Sequence, residues 1–200
     1  MKHKIYKAIF TILLIIAIVL LVCIIYKYGN RQLNENKNKE ILELMAKTDS
    51  EENNTNENAK IKMQGYEVIG KIKIDKIGIE YPIVSIETSN PEETKAPMKI
   101  AIVKYWGGNV NDFGNLSIAG HNNYDGTMFG KTKNLEVGDS IELTDLNKHT
   151  ISYQIYRKFV TDPNDISILK TEDNSIREVT LITCTNGNKE RLILKAEEIK

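Results

Sequence analysis

The feature that most limits how this chain can fold is an alternation of apolar and polar side chains that recurs from Ile72 to Ala196. Successive side chains of a β-strand point to opposite faces of a sheet, so apolar residues two positions apart are typical of half-buried strands. This spacing occurs in six segments: Ile72/Ile74, residues 77–83, Ile141/Leu143, residues 151–155, Val179/Leu181 and residues 192–196. Many short strands of this kind predict an all-β fold, a closed or nearly closed β-barrel.

Turn-forming residues separate the predicted strands. Clusters of Gly, Asn, Asp and Pro occur at residues 106–109, 113–115, 124–126, 137–139 and 162–164. Pro82 inside one alternating run predicts an edge position or a bend, because proline has no backbone N–H for a central strand. Helix signals are confined to residues 91–96 and a turn after Met128. These signals predict one globular domain over residues 65–200.

The N-terminal segment has a different composition. Residues 8–26 are almost entirely Ile, Leu, Val and Ala, and as a helix they would reach about 28 Å, enough to cross the core of a bilayer. Lys2, Lys4 and Lys7 precede this run, as they would in a cleaved signal peptide, but no small-residue cleavage site follows it. We therefore expect a short tail and a retained transmembrane anchor over residues 1–28, with Cys23 an ordinary lipid-facing thiol. Basic residues flank the apolar run on both sides, so their count leaves the orientation open.

Residues 29–64 are predicted to be a polar juxtamembrane linker. The stretch 51–58 (EENNTNEN) contains no apolar residue and cannot contribute to a core. A short apolar patch at Ile41, Leu42, Leu44 and Met45 is compatible with a juxtamembrane helix. We interpret this patch as a loose helix or coil rather than as a surface that binds a partner.

The charge composition argues against nucleic-acid binding. The chain has 27 Lys and Arg residues against 27 Asp and Glu residues, and no basic stripe is evident. It also lacks a glycine-rich loop of the kind that holds phosphates, so a nucleotide cofactor is not expected.

Three residue types with complementary chemistry stand near the predicted strands. Cys184, the one cysteine outside the apolar N-terminal run, ends the run 180–184 (TLITC), and Arg191 follows seven positions later. His121 ends the sequence AGH at 119–121. A nucleophilic thiolate needs a cationic or proton-transferring neighbour, and an acyl intermediate needs a group that stabilises its oxyanion. The combination predicts a thiol enzyme in which the short turn 185–190 brings Cys184 and Arg191 onto adjacent strands.

These motifs, taken in order, resemble the sortases, the membrane-anchored cysteine transpeptidases of Gram-positive bacteria. The resemblance extends over the whole domain 65–200 and includes Arg191. Its motifs are residues 81–83 (YPI), 114–121 (GNLSIAGH), Phe129, 135–141 (LEVGDSI) and 180–184. It implies an eight-stranded sortase-type β-barrel with short helices. It also implies a single-pass protein of the cell membrane, with a cytoplasmic N-terminal tail before the anchor in residues 1–28 and an extracytoplasmic catalytic domain.

The resemblance further implies a role for each site residue. Cys184 would be the nucleophile, His121 the general acid that protonates the leaving amine, and Arg191 the cation that holds substrate and stabilises the oxyanion. The substrate would be a surface protein with an LPxTG-type sorting signal, cleaved between Thr and Gly through a thioester. The acceptor would be a peptidoglycan precursor or another amine of the cell wall.

An apolar groove that excludes water would favour the amine acceptor over hydrolysis. Candidate substrate-binding residues near the predicted site are Ala119, Asn122, Val160, Ile168, Ile182 and Thr183. Ile166 and Leu169 are further candidates for the groove wall.

The chain departs from several subclasses of the family. The short interval between Cys184 and Arg191, the lack of an Asp-Pro-aromatic lid motif before the barrel and the lack of a late helical insert favour a class D-like enzyme. A class A-like housekeeping sortase is the neighbouring possibility. The sequence is also compatible with a thiol peptidase that mainly hydrolyses, and with a non-catalytic anchored β-barrel binding module in which Cys184 is structural.

Calcium is the metal that acidic loops would suggest. The carboxylates before the predicted catalytic strand lack EF-hand spacing and are interpreted as solvated, so neither a metal nor a cofactor is expected. They are Asp162, Asp165, Glu172, Asp173 and Glu178.

Overall fold

The computed structural model describes residues 2–47, 61–86, 91–171 and 173–199. The chain divides into two compact units, one up to Lys37 and one from Asn38 onward. The predicted tether at residues 51–58 and the carboxylate of Glu172 lie outside the described residues.

The first element is the long helix α1 (Lys2–Lys47). Large apolar side chains along its N-terminal part are exposed, among them Leu14, Val19 and Ile24. Among the described residues, α1 is the one helix long and apolar enough to cross a membrane. An unbroken apolar helical surface of this length is typical of a membrane-spanning segment.

The described residues form nine strands in one sheet, and eight of these strands close into a barrel. They are β1 (Lys62–Met63), β2 (Tyr66–Ile74), β3 (Ile79–Ser85), β4 (Ile102–Trp106), β5 (Gly114–Ala119), β6 (Ser140–Asp145), β7 (Thr150–Thr161), β8 (Arg177–Thr185) and β9 (Glu190–Glu198). The sheet order is β1-β2-β3-β4-β5-β8-β9-β7-β6, and pairing of β2 with β6 closes it. The two-residue β1 pairs only with the start of β2 and lies outside the closed barrel. The predicted eight-stranded barrel with an N-terminal apolar helix is therefore confirmed.

Short helices and turns connect the strands. A 3₁₀ turn (Pro91–Thr94) and the one-turn helix α2 (Lys95–Met98) precede β4, close to the helix signal at residues 91–96. Pro82 lies in β3, which pairs with β4 only at Ile83 and Val84. Pro82 therefore stands where β3 has a neighbour on one side, as its chemistry requires.

The alternation along β5, β8 and β9 separates two faces of the sheet. Leu116, Val179 and Leu194 belong to the barrel core and define its inner face. The alternate residues of the same strands therefore share the opposite side, which we call the outer face. The outer face carries Asn115, Ser117 and Ala119 on β5, Glu178, Thr180, Ile182 and Cys184 on β8, and Arg191, Ile193 and Lys195 on β9.

The end of α1 differs from the interpretation as a loose helix or coil. Ile41 and Met45 are buried in a cluster with Val68 and Ile100. Asn38 donates its side-chain amide to the backbone carbonyl of Ile100 at 3.2 Å. Positions three and four apart share one side of a helix, so the last turns of α1 present a single apolar side to the strands of their own unit.

Candidate active site

Cys184 and Arg191 lie opposite each other at the adjoining ends of β8 and β9. They are paired in the register of the two antiparallel strands, so both side chains share the outer face. The connecting 3₁₀ turn (Asn186–Asn188) contains Gly187 with φ 65°, a left-handed conformation that glycine adopts without strain. The Cys184 side chain is half-buried and forms no disulfide.

The segment that carries His121 is bound to the same end of β8. β5 runs parallel to β8, with Ala119 paired to Ile182. Just beyond β5, the Gly120 N–H donates to the Ile182 carbonyl at 3.1 Å. The Thr183 hydroxyl donates to the Gly120 carbonyl at 2.7 Å. These two bonds fix the backbone immediately before His121.

A third contact fixes the backbone immediately after His121. The Asn122 side-chain amide donates to the Cys184 carbonyl at 2.8 Å. His121 is therefore held between two residues that both contact the end of β8. The structure thus brings the Cys184, His121 and Arg191 positions to one end of the barrel.

Gly120 has a packing reason to be glycine. A Cβ at this position would lie 2.9 Å from Cδ2 of Phe129, whose side chain is fully buried. The Phe129 N–H also donates to the His121 carbonyl at 3.0 Å. The ring of Phe129 consequently packs against the segment that presents His121.

The surroundings of His121 favour its neutral form. Burial is the main factor that lowers the pKa of His121 below its usual value, and the positive charge of Lys99 lowers it further. At neutral pH most of the imidazole is therefore unprotonated. A neutral imidazole accepts a proton, and the protonated minority donates one.

The guanidinium group of Arg191 carries a charge that no carboxylate among the described residues offsets. Its Nη1 donates to the carbonyls of Asn188 at 3.2 Å and Glu190 at 3.1 Å. Within the described ranges Arg191 forms no salt bridge, and the Glu190 carboxylate instead accepts a hydrogen bond from Asn186. Arg191 therefore supplies a positive charge at the end of β9 that faces Cys184.

An apolar patch adjoins Cys184 on the outer face. It consists of Ala119, Ile168, Ile182 and Ile193, all buried. Three of these were predicted from the sequence, whereas Ile193 was missed. Ile193 lies two positions from Arg191, and this spacing could have assigned it to the outer face.

Four partly buried side chains pack around the apolar patch: Met98, Tyr105, Phe159 and Leu169. Of these, Leu169 was predicted from the sequence. Phe159 pairs with Ile193 across β7 and β9, so it too follows the period of two. Met98 and Tyr105 come from α2 and β4, for which the alternating pattern gave no signal.

Thr183 and Val160, two of the candidate substrate contacts, do not lie on the face that carries Cys184. Both pair with Leu192, a residue of the inner face, so neither shares the face of Cys184. Thr183 is 3% exposed and its hydroxyl is bonded to Gly120, whereas Val160 is half-exposed beyond the core. Thr183 therefore braces the His121 segment instead of presenting its hydroxyl. Ile166 also lies outside the apolar patch and is exposed.

The described acidic residues of this region, three before β8 and Glu178 within it, have partners in the protein. Asp162, Asp165 and Asp173 each accept a hydrogen bond from a backbone N–H two residues later. Glu178 is paired with Lys195 at 2.6 Å. In the described part of the chain, no group of three or more His, Cys, Asp or Glu side chains is arranged to hold a metal ion.

Comparison with known proteins gives a consistent result. The family model described as "Sortase domain" matches residues 72–199. Sortase A of Bacillus anthracis is 30% identical over 134 residues, which are 66% of this chain and 60% of that protein. The match therefore spans less than two thirds of that relative's length.

Two solved structures from Clostridium perfringens are similar to this one. One, described as a Sortase D5 transpeptidase, has a TM-score of 0.61 and 29% identity, and the match covers 84% of this chain and 99% of that chain. The other is sortase C with the C-terminal cell wall sorting motif, with a TM-score of 0.57 and 24% identity over 83% of this chain and 86% of that chain. At 24% identity, the similarity to the sortase C structure shows a shared fold and nothing more.

Proposed function

The chain belongs to the sortase family, and on that premise we propose that it is a transpeptidase acting on LPxTG-type sorting signals. It would cleave the signal between Thr and Gly and transfer the new C-terminal threonine to an amine of the cell wall. The observation that supports this most directly is the pairing of Cys184 with Arg191 beside the braced His121 segment.

In the first step the Cys184 thiolate attacks the carbonyl carbon of the substrate threonine and forms a C–S bond. The carbonyl oxygen becomes an oxyanion, which the Arg191 guanidinium stabilises. Collapse of this intermediate breaks the Thr–Gly peptide bond. Protonated His121 gives its proton to the departing glycine amine, leaving a thioester and a neutral imidazole.

In the second step an amine attacks the thioester carbonyl. Neutral His121 accepts a proton from the attacking nitrogen, the C–S bond breaks, and Cys184 returns as a thiolate. The product is a new amide bond, and His121 is again protonated. Hydrolysis follows the same path with water as nucleophile, and the apolar patch beside Cys184 disfavours it by excluding water.

We assign the enzyme to a class D-like subclass. The six-residue interval between Cys184 and Arg191 and the similarity to the Sortase D5 transpeptidase support this assignment. The similarity to Sortase A of Bacillus anthracis keeps a class A-like enzyme as the competing assignment. The apolar part of α1 would anchor the enzyme once in the membrane, with the barrel outside the cytoplasm.

The test uses the full chain in detergent with a panel of LPxTG-like peptides and an amine-bearing peptide as acceptor. Mass spectrometry would identify a thioester on Cys184 and the transpeptidation product. Cys184→Ala should abolish both, whereas Cys23→Ser, which removes the other thiol, should leave both intact. Undiminished cleavage by Cys184→Ala would refute the proposal. Release of free threonine-ended peptide in excess amine would indicate a thiol peptidase instead.

A further inference from the structure

We propose that a buried polar network on the outer face holds one wall of the substrate site in place before substrate binds. We call it the anchor network; its members are Asn115, Glu178, Thr180 and Lys195, each less than a tenth exposed. It fixes the backbone of residues 168–170, which we call the wall. The wall contributes Ile168 to the apolar patch and packs Leu169 against it. The inference rests on the proposed function, because it assigns the anchor network a role in binding the sorting signal.

The anchor network continues the same face that carries the catalytic thiol. Asn115 pairs with Glu178 across the parallel strands β5 and β8, and Thr180 pairs with Lys195 across β8 and β9. Glu178 and Thr180 are six and four positions before Cys184, so their side chains share its face. The order along this face of β8 is therefore anchor network, apolar patch and catalytic thiol.

Asn115 contacts the wall through its amide nitrogen. The Thr180 hydroxyl donates to Asn115 Oδ1 at 2.9 Å, which fixes the orientation of the amide. Nδ2 of Asn115 then donates to the carbonyls of Ile168 at 3.3 Å and Leu169 at 3.1 Å. Two successive carbonyls of the wall are thus bound by one buried side chain.

Lys195 binds the next carbonyl. Its ammonium donates to the Lys170 carbonyl at 3.1 Å and to Glu178 Oε1 at 2.6 Å. The other oxygen of Glu178 accepts the Tyr156 hydroxyl at 2.9 Å. A buried ion pair of this kind is a weak source of net stability, because removing two charges from water is costly. Because Lys195 also donates to the Lys170 carbonyl, we interpret the ion pair as a means of holding the backbone of residues 168–170 in place.

Apart from the anchor network, the wall is held by the packing of Ile168 and Leu169 in and around the apolar patch and by the bond from the Ser167 N–H to Asp165. The 3₁₀ turn Ser167–Leu169 is a single turn, and its neighbours on either side are exposed. A free segment of this length would have to be ordered when substrate binds, and its lost conformational entropy would weaken binding. Because the anchor network orders it in advance, the sorting signal meets a preformed apolar surface.

The test compares full-length Asn115→Ala and Lys195→Met with Ser117→Ala as a matched control. Ser117 is buried two positions from Asn115 on the same face; its hydroxyl oxygen accepts a hydrogen bond from Asn115 Nδ2 at 3.4 Å, and in the described structure it forms none with residues 168–170. Loss of the anchoring bonds should raise KM for an LPxTG-like peptide about tenfold while kcat changes less than about twofold. Ser117→Ala should retain the wild-type KM.

Hydrogen exchange provides a readout that does not depend on activity. The N–H groups of Leu169 and Lys170 donate to Ile166 and Ser167 at 3.2 Å each, and their protection should fall in Asn115→Ala but not in Ser117→Ala. Because Asn115 is uncharged, this variant also serves if Lys195→Met fails to fold. Unchanged exchange, or a lower melting temperature with an unchanged KM, would overturn the inference. A wild-type chain that cleaves no sorting peptide would instead contradict the proposed function. The exchange result would then still test whether the anchor network orders residues 168–170.

Discussion

Cys184 and Arg191 face each other across β8 and β9 although six residues separate them in the chain. The turn between them uses left-handed backbone at Asn186, Gly187 and Asn188, which reverses the chain within a few residues. A rigid two-stranded connection of this kind sets the distance between thiol and guanidinium without help from a mobile loop.

Replacing Arg191 tests whether its charge stabilises the oxyanion. Arg191→Ala should lower kcat by about 10²–10³-fold, the effect of removing one oxyanion donor, while the barrel remains folded. Steady-state kinetics and thermal denaturation would measure the two effects. Lys189→Ala removes an exposed charge from the same turn and should have the kcat of the wild type. A wild-type kcat in Arg191→Ala would exclude this role.

The electrostatic influence of Lys99 on His121 predicts a shift in the pH profile. In the proposed mechanism activity is lost at high pH, because His121 acts as the general acid and loses its proton there. The Lys99 charge disfavours the imidazolium, so Lys99→Gln should raise the pKa of His121 and move the alkaline limb of kcat/KM to higher pH. Burial remains the larger cause, so the shift should be partial. Lys95→Gln is the control, and a limb that moves to lower pH would contradict the assignment.

Thr183 is expected to act through the backbone before His121. Thr183→Val keeps the shape of the side chain but leaves the buried Gly120 carbonyl without its donor, which should cost about 1–3 kcal/mol of unfolding free energy. It should also lower kcat, because the His121 segment is less firmly held. Thr183→Ser retains a hydroxyl and should recover most of both losses. A substrate contact, by comparison, would raise KM without lowering stability.

Gly120 should tolerate no side chain. In Gly120→Ala the new methyl group would press on Phe129, and overpacking of this type costs about 1–3 kcal/mol. Chemical denaturation would measure the loss, and kcat should fall with it. The double variant Gly120→Ala/Phe129→Leu should be less destabilised than the sum of its two single variants, because the smaller side chain leaves room for the methyl group. Additive losses would show that the two positions are independent.

The last turns of α1 should contribute to the stability of the unit that contains the barrel. Ile41→Ala and Met45→Ala each remove a buried side chain and should cost about 2–5 kcal/mol of unfolding free energy. Fluorescence of Trp106, the single tryptophan, would follow the transition in the full chain. Leu44→Ala, on an exposed position of the same turns, should have little effect. Equal stabilities for all three variants would indicate that Ile41 and Met45 do not pack against the barrel strands in solution.

The period of two explains both the successes and the errors of sequence interpretation. It identified β6, β7, β8 and β9, whose inner residues are apolar and whose outer residues vary. It missed β4, because Ile102 and Val103 are both buried and a strand buried on both faces shows no alternation. Thr183 was named as a candidate substrate contact because it adjoins Cys184, but adjacent residues of a strand face opposite ways, and the structure places Thr183 on the other face.

Other features depended on partners that are distant in sequence. The resemblance of the motifs implied a common site for Cys184, His121 and Arg191, and the structure places these three backbone positions at one end of the barrel. The packing of Ile41 and Met45 depends on strands that begin after Lys60, so an isolated patch of four apolar residues gave no sign of it. The anchor network could not be predicted from the sequence either. Asn115 and Lys195 are polar residues of ordinary strands, and their proximity follows only from the pairing of β5, β8 and β9.

The parallel pairing of β5 with β8 also governs when the enzyme acquires its chemistry. The bond from Thr183 to Gly120 joins residues 63 positions apart, and contacts of such long range form late in folding. Before the final strands dock, Cys184 lies beside neither His121 nor the covering wall. In the proposed mechanism, the reactivity of Cys184 is therefore a property of the completed barrel.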